Sequence, residues 1–205
     1  MLAQRIYMVG IGGIGMSALA QFFVDEGSTI SGSDREESPT TRMLAEKGIA
    51  VAIGTNADVV PTDTQLVVYS DAVAADNAER VRAAELGVRQ MSYFEALGEV
   101  AKGKRTVAVA GTHGKTTTTA MLGKLLVDAG LDPTVIVGSI VSEWRSNYRA
   151  GKSDLFVVEA CEYRNDFLYL FPDTVVLTTV DGDHFDAFAN LEEYRKAFVN
   201  FFKLM

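Results

Sequence analysis

Short, nearly unbroken apolar runs alternate along the chain with longer stretches in which apolar residues recur every three or four positions. The first pattern suits strands buried on both faces, and the second suits helices with one packed face. Ile6 to Val9 reads as a buried strand, followed by an amphipathic helix from Met16 to Glu26 that stops at Gly27. Thr29 to Ser31 opens a second strand, closed by Gly32-Ser33-Asp34. Thr40 to Lys47 is helical and ends at Gly48; strands follow at Ala50 to Ile53 and Leu66 to Tyr69. Asn77 to Leu86 is a further helix, ended by Gly87. A glycine just past a helix is the usual way to end it.

The polar break Lys102-Gly103-Lys104-Arg105 interrupts this rhythm, which restarts with a strand at Thr106 to Ala110, a glycine turn and a helix reaching Ala129. Later strands are predicted at Leu155 to Val158 and Val175 to Thr178, and a helix from Leu191 onward. The expected fold class is therefore α/β in two domains, the first built on a parallel sheet. The first is a Rossmann-like domain over 1–104 and the second a P-loop ATPase domain over 105–205. The second lacks a closing strand and reads as incomplete.

Composition narrows the classes. Hydrophobic residues make up 48% and charged residues 22%, which excludes a disordered chain. Nineteen basic against twenty-seven acidic residues give a net charge of −8, without a basic run that would suit nucleic acid or an acidic membrane. No apolar stretch reaches a spanning length, so no membrane partner is expected. Cys161 is the only cysteine, which rules out an internal disulfide and suits the cytoplasm. Oligomeric state is not readable.

Gly10-Ile11-Gly12-Gly13-Ile14-Gly15 fits G-x-G-x-x-G where that motif has meaning, after a strand and before a helix. The glycines let backbone N–H groups at a helix start approach a pyrophosphate. Asp34, nineteen residues after Gly15, stands where an acid accepts from ribose hydroxyls. These residues leave open whether the nucleotide is NAD or a UDP-sugar.

Ala110-Gly111-Thr112-His113-Gly114-Lys115-Thr116-Thr117 follows a strand and opens a helix. Backbone N–H groups, one lysine and one hydroxyl are what an ATP triphosphate and its Mg²⁺ require. Lys115 would neutralise the β- and γ-phosphates and Thr116 would ligate the metal. The strict P-loop pattern asks for glycine five positions before Gly114, where this chain has Val109.

The run from Ala110 to Thr119 resembles the ATP loop of the Mur ligases, and Val9 to Ser17 with Ser31-Gly32-Ser33-Asp34 resembles their uridine-nucleotide domain. Val158 to Arg164, then Asn165 and Asp166, is similar to the family's central acidic segment, and Asp183-His184 to its Asp-His pair. The matches run in family order over almost the whole chain, closest to the branch that joins L-alanine to UDP-N-acetylmuramate. The resemblance implies an ATP-dependent amide ligase of peptidoglycan synthesis, working through an acyl phosphate in the cytoplasm. ATP and Mg²⁺ would be its cofactors, and the UDP-sugar and L-alanine its partners.

By that resemblance Lys115, Glu159 and His184 are catalytic, with Thr116, Glu159 and His184 at metal. Gly111, Thr112, His113, Gly114, Lys115, Thr116 and Thr117 hold ATP. Gly12, Gly13, Ile14, Gly15, Asp34, Ser70, Asn147 and Arg149 hold the UDP-sugar. Cys161 is not expected to be a nucleophile, since nothing beside it would lower its pKa. The aromatic series from Tyr163 to Phe171 reads as core. Two departures stand out: Thr178-Thr179-Val180 replaces the family's Thr-Asn-Ile, and Gly54 is followed by Thr55 instead of histidine. The relatives are also longer, so this chain is expected not to turn over alone. Alternatives are a tripeptide-attaching Mur ligase, a non-catalytic UDP-sugar and ATP-binding fragment, an NAD-dependent oxidoreductase and a plain P-loop NTPase.

Overall fold

The structure, a computed structural model, describes residues 4–181 and 187–205. The chain divides into two compact units, Met1–Ala96 and Leu97–Met205.

The first unit begins β1 (Arg5–Val9), α1 (Ile14–Asp25), β2 (Thr29–Asp34), α2 (Pro39–Glu46), β3 (Ala50–Ile53). It continues with β4 (Leu66–Tyr69), α3 (Ala78–Glu85), β5 (Arg89–Ser92) and α4 (Tyr93–Ala101), inside which the division falls. Its five strands are all parallel, in the order β3-β2-β1-β4-β5. Tyr7, Val9, Val60, Val67 and Ala83 pack together as one buried cluster. The inner face of α1 is buried from Met16 to Phe23. Helix starts follow local chemistry. At α2 the Ser38 and Thr41 side chains cap each other's backbone N–H groups, with Pro39 at the first helical position. At α3, Asn77 accepts from the Glu79 and Arg80 amides.

The second unit contains β6 (Arg105–Ala110), α5 (Lys115–Asp128), β7 (Thr134–Val141), β8 (Ser146–Arg149), β9 (Leu155–Glu159), β10 (Thr174–Leu177) and α6 (Leu191–Phe202). Its sheet runs β10-β6-β9-β7-β8. Four strands are parallel, but β8 pairs antiparallel with β7, so the sheet is mixed. Val135, Val137 and Val157 cover one face, packed by Leu122 and Leu126 of α5. Phe167 stacks on Phe201 with centroids 4.4 Å apart and meets Phe198 edge-on. The aromatic series is only partly core: Phe167 is buried, while Tyr169 and Phe171 are exposed.

Candidate functional site

In the first unit the C-terminal ends of β1, β2 and β4 surround a cleft of about 670 Å³. It opens where the strand order reverses between β1 and β4, the usual ligand position in an open parallel sheet. Gly12, Gly13, Asp34 and Ser70 line it, and Gly54 and Thr55 stand at its edge. Ile14 and Gly15 open α1 beside it. Asp34 Oδ2 accepts from Gly12 N–H at 2.8 Å. A Cβ at residue 12 would fall 2.8 Å from that oxygen, so the glycine is what lets strand end and phosphate turn meet.

Sequence reasoning missed Glu79. Its carboxylate is buried under the cleft, accepting from Ser33 Oγ at 2.5 Å and from Asn56 N–H at 3.1 Å. Its place in the first turn of α3 supplies favourable helix polarity. Burial pushes the nearby Tyr7 hydroxyl up to about 12, with the Glu79 charge acting in the same direction. Nothing in the sequence distinguishes Glu79 from a solvated helix start.

In the second unit the loop between β6 and α5 sits at the C-terminal end of its sheet. Gly114, at φ 81°, caps α5. The threonines after β10 brace the loop: Thr112 N–H donates to the Thr179 carbonyl at 2.8 Å, and His113 N–H to Thr179 Oγ1 at 3.1 Å. Thr178 Oγ1 donates to the His113 carbonyl at 2.6 Å. The replacement of the family's asparagine thus puts a hydroxyl on the His113 amide. Lys115 curls back on the loop, with Nζ 2.5 Å from the Gly111 carbonyl and 3.0 Å from Glu162.

Thr116 Oγ1 donates to Glu159 Oε1 at 3.0 Å, which joins the two proposed metal ligands across the gap between α5 and β9. The other oxygen of Glu159 accepts from Gly138 N–H at 2.8 Å. Gly138 was not singled out from the sequence. A Cβ there would lie 2.6 Å from Glu159 Oε2, so this glycine gives the carboxylate its room. A hydroxyl and a carboxylate sharing one spot beside a phosphate-type loop fit Mg²⁺, which takes one or two carboxylates and fills the rest with water and phosphate. Among the described residues no three His, Cys, Asp or Glu side chains form a ready-made metal cage. His184, with Asp183, lies outside the described residues.

Beyond Glu159 the chain turns sharply: Arg164 and Asn165 both hold left-handed backbone, at φ 51° and 64°. The turn leaves Cys161 and Glu162 behind the phosphate loop. Burial pushes the Cys161 thiol up to about 11, which keeps it protonated and inert. Asn147 is buried in β8. Arg149 is level with Val135 and Val157, below Glu159, and its guanidinium points to the Pro133 carbonyl at 2.6 Å and Asp132 at 2.7 Å. That hydrogen bond, with the Lys152 amide, holds the Asp132 carboxyl below its ordinary range. The geometry therefore gathers Lys115, Thr116 and Glu159, but sets Arg149 apart from them.

Comparison with known proteins accounts for both units. Residues 5–105 match the Mur ligase family catalytic domain, and residues 109–205 the Mur ligase middle domain. The chain belongs to the Mur ligase family. A UDP-N-acetylmuramate–L-alanine ligase of Clostridium kluyveri is 42% identical over 203 residues, covering 98% of this chain and 44% of that protein. The crystal structure of the UDP-N-acetylmuramate–alanine ligase of Thermotoga maritima superposes with a TM-score of 0.88 at 37% identity, over 97% of this chain and 47% of that one. The UDP-N-acetylmuramate:L-alanyl-γ-D-glutamyl-meso-diaminopimelate ligase of Neisseria meningitides gives 0.91 at 29% identity, over all of this chain and 69% of that one. The chain thus spans under half the length of the curated relatives it matches. No helix among the described residues is long and apolar enough to cross a membrane.

Proposed function

We propose that this chain carries the UDP-N-acetylmuramate-binding domain and the phosphate-binding half of an ATP-dependent ligase that joins L-alanine to the sugar's carboxylate in the cytoplasm. The observation that carries it is the Thr116–Glu159 hydrogen bond beside Lys115, at the strand ends where a triphosphate would lie. ATP brings the phosphoryl group that activates a carboxylate towards an amine, and Mg²⁺ the charge that lets two anions approach. Lys115 is the cation this chain itself offers to the phosphates, and Thr116 and Glu159 the hard oxygens it offers to the metal. Gly12 and Gly13 let the turn between β1 and α1 come close to the sugar nucleotide's diphosphate at the start of α1, and Asp34 accepts from its hydroxyls. His184 is proposed for the metal site on its sequence motif alone.

A peptide-attaching ligase is the second reading, supported by the likeness to the Neisseria enzyme. The higher identity to alanine ligases favours the first. Calorimetric titration with UDP-N-acetylmuramate, with NADH as control, tests the first domain. Saturable binding of the sugar nucleotide, weakened by Asp34→Ala, is the expected result. Binding of NADH without any response to the sugar nucleotide overturns the reading.

A further inference from the structure

Four parallel strands of the first unit reach one level together. Ser33 of β2, Val9 of β1, Tyr69 of β4 and Ser92 of β5 stand side by side in register. Asp34 and Tyr93 each come one residue later, on opposite flanks of the turn that leads from β1 into α1. β2 and β5 are three strand spacings apart, about 14 Å.

The turn is touched from both flanks. At one end Gly12 N–H donates to Asp34 at 2.8 Å. At the other the phenol of Tyr93 rests on Gly15, where a Cβ would fall 2.5 Å from its Cζ and 2.8 Å from its hydroxyl oxygen. The third glycine of such a turn usually serves close packing of helix on strand. Here it makes room for the polar tip of a tyrosine. Tyr93 is half-buried, so its ring is not sealed in the core. Ile14, next to Gly15 at the start of α1, leaves 40% of its surface open. A phenol and an exposed aliphatic side chain thus stand together at the helix start.

A UDP-sugar is a chain of three parts: nucleoside, diphosphate and sugar. With the ribose at Asp34 and the diphosphate at the start of α1, its direction is set, and the sugar leaves towards β5. We propose that Tyr93 is a specificity-determining residue for the sugar half of the ligand: its hydroxyl bonds the hexose or its N-acetyl group, and Ile14 covers an apolar substituent. This rests on reading the first domain as a UDP-sugar site. A phenol hydroxyl both donates and accepts, so a partner within the protein leaves it able to bond a sugar as well.

The test is calorimetric titration of this chain with UDP-N-acetylmuramate and with UDP, which has the nucleoside and diphosphate but no sugar. Tyr93→Phe is expected to weaken binding of the UDP-sugar about fivefold, the usual worth of a neutral hydrogen bond, and to leave UDP unchanged. Gly15→Ala reaches the same contact from the helix. Its backbone is not left-handed, so alanine brings no strain, and the new Cβ pushes the phenol aside. It is expected to weaken binding of the UDP-sugar, and to add nothing in a Tyr93→Ala background. Equal losses for UDP-sugar and UDP in Tyr93→Phe would make the residue a support of the helix start and overturn the proposal. So would an undiminished loss from Gly15→Ala in the Tyr93→Ala background, which decides the matter alone should Tyr93→Phe not fold. A parent chain that binds neither ligand refutes the UDP-sugar reading and this inference with it. Binding by the parent without a response in the variants refutes this inference only.

Discussion

Gly138→Ala is the sharpest test of Glu159, because it changes the carboxylate without touching it. The backbone of Gly138 is not left-handed, so alanine meets no strain there. The new Cβ would sit 2.6 Å from Glu159 Oε2 and 2.9 Å from both Cδ and Oε1. Ordinary contact needs roughly 3.5 Å, so the whole carboxyl group must withdraw by more than half an ångström. Withdrawal breaks the 2.8 Å bond from Gly138 N–H and stretches the 3.0 Å bond from Thr116. Each is a hydrogen bond to a charged group, worth about 1.5–3 kcal/mol when lost outright. Glu159 is only half-buried and water takes up part of the loss. The net effect should be about 1.5 kcal/mol, or roughly tenfold in affinity for Mg²⁺ with a non-hydrolysable ATP analogue. Calorimetry on the parent, Gly138→Ala, Glu159→Ala and the double variant reads it. The alanine should add nothing once Glu159 is gone. An undiminished loss in the double variant would mean that Gly138 acts through the backbone and not through the carboxylate.

Two further expectations follow from the same region. Lys115→Met takes one ion pair from the buried Glu162 carboxylate, and although breaking a buried pair can cost 3–5 kcal/mol, the partial exposure of Lys115 and the other partners of Glu162 reduce this to about 2 kcal/mol. Urea unfolding should show the loss without any ligand, and a variant as stable as the parent would contradict the pairing. Cys161, with its thiol pushed up to about 11, should react with a thiol reagent at pH 8 about a hundredfold more slowly than a free cysteine. Its rate should still be climbing at pH 10. Because burial favours the protonated thiol, its contribution to stability is intact below pH 9 and is lost between pH 9 and 11. A labelling rate that levels off near pH 9 would contradict the burial argument.

The two glycine turns were legible because turn, strand and helix leave a joint signature: Gly10 to Gly15 and Gly111 to Lys115 each stand between an apolar run and an amphipathic one. Two apolar elements, α4 and β7, were passed over, and the others that escaped are made from polar residues. No element was expected between Gly130 and Leu155, yet β8, Ser-Asn-Tyr-Arg, is a buried strand. Its Ser146 and Asn147 are buried polar side chains, which hydropathy reads as loop. β5, Arg-Gln-Met-Ser, escaped for the same reason. Tyr194 escaped because, with Phe198 and Phe201, it forms an ordinary apolar stripe on α6. Only the fold reveals that its hydroxyl meets the loop 82 residues earlier. Glu159 was singled out by its motif, whereas the Gly138 amide that bonds it comes from a different strand and carries no motif of its own.

The charge around the first cleft has a kinetic consequence. Asp34, Glu36, Glu37, Asp76 and Glu79 line it, and Arg35 is the one lining cation among the described residues. An anionic ligand approaching this mouth is repelled at long range, although backbone amides welcome it on arrival. The Debye length shrinks from about 30 Å at 0.01 M salt to about 8 Å at 0.15 M, which removes most of that repulsion. Added salt should therefore speed the capture of a sugar diphosphate by this domain, the reverse of what a basic nucleotide cleft would show.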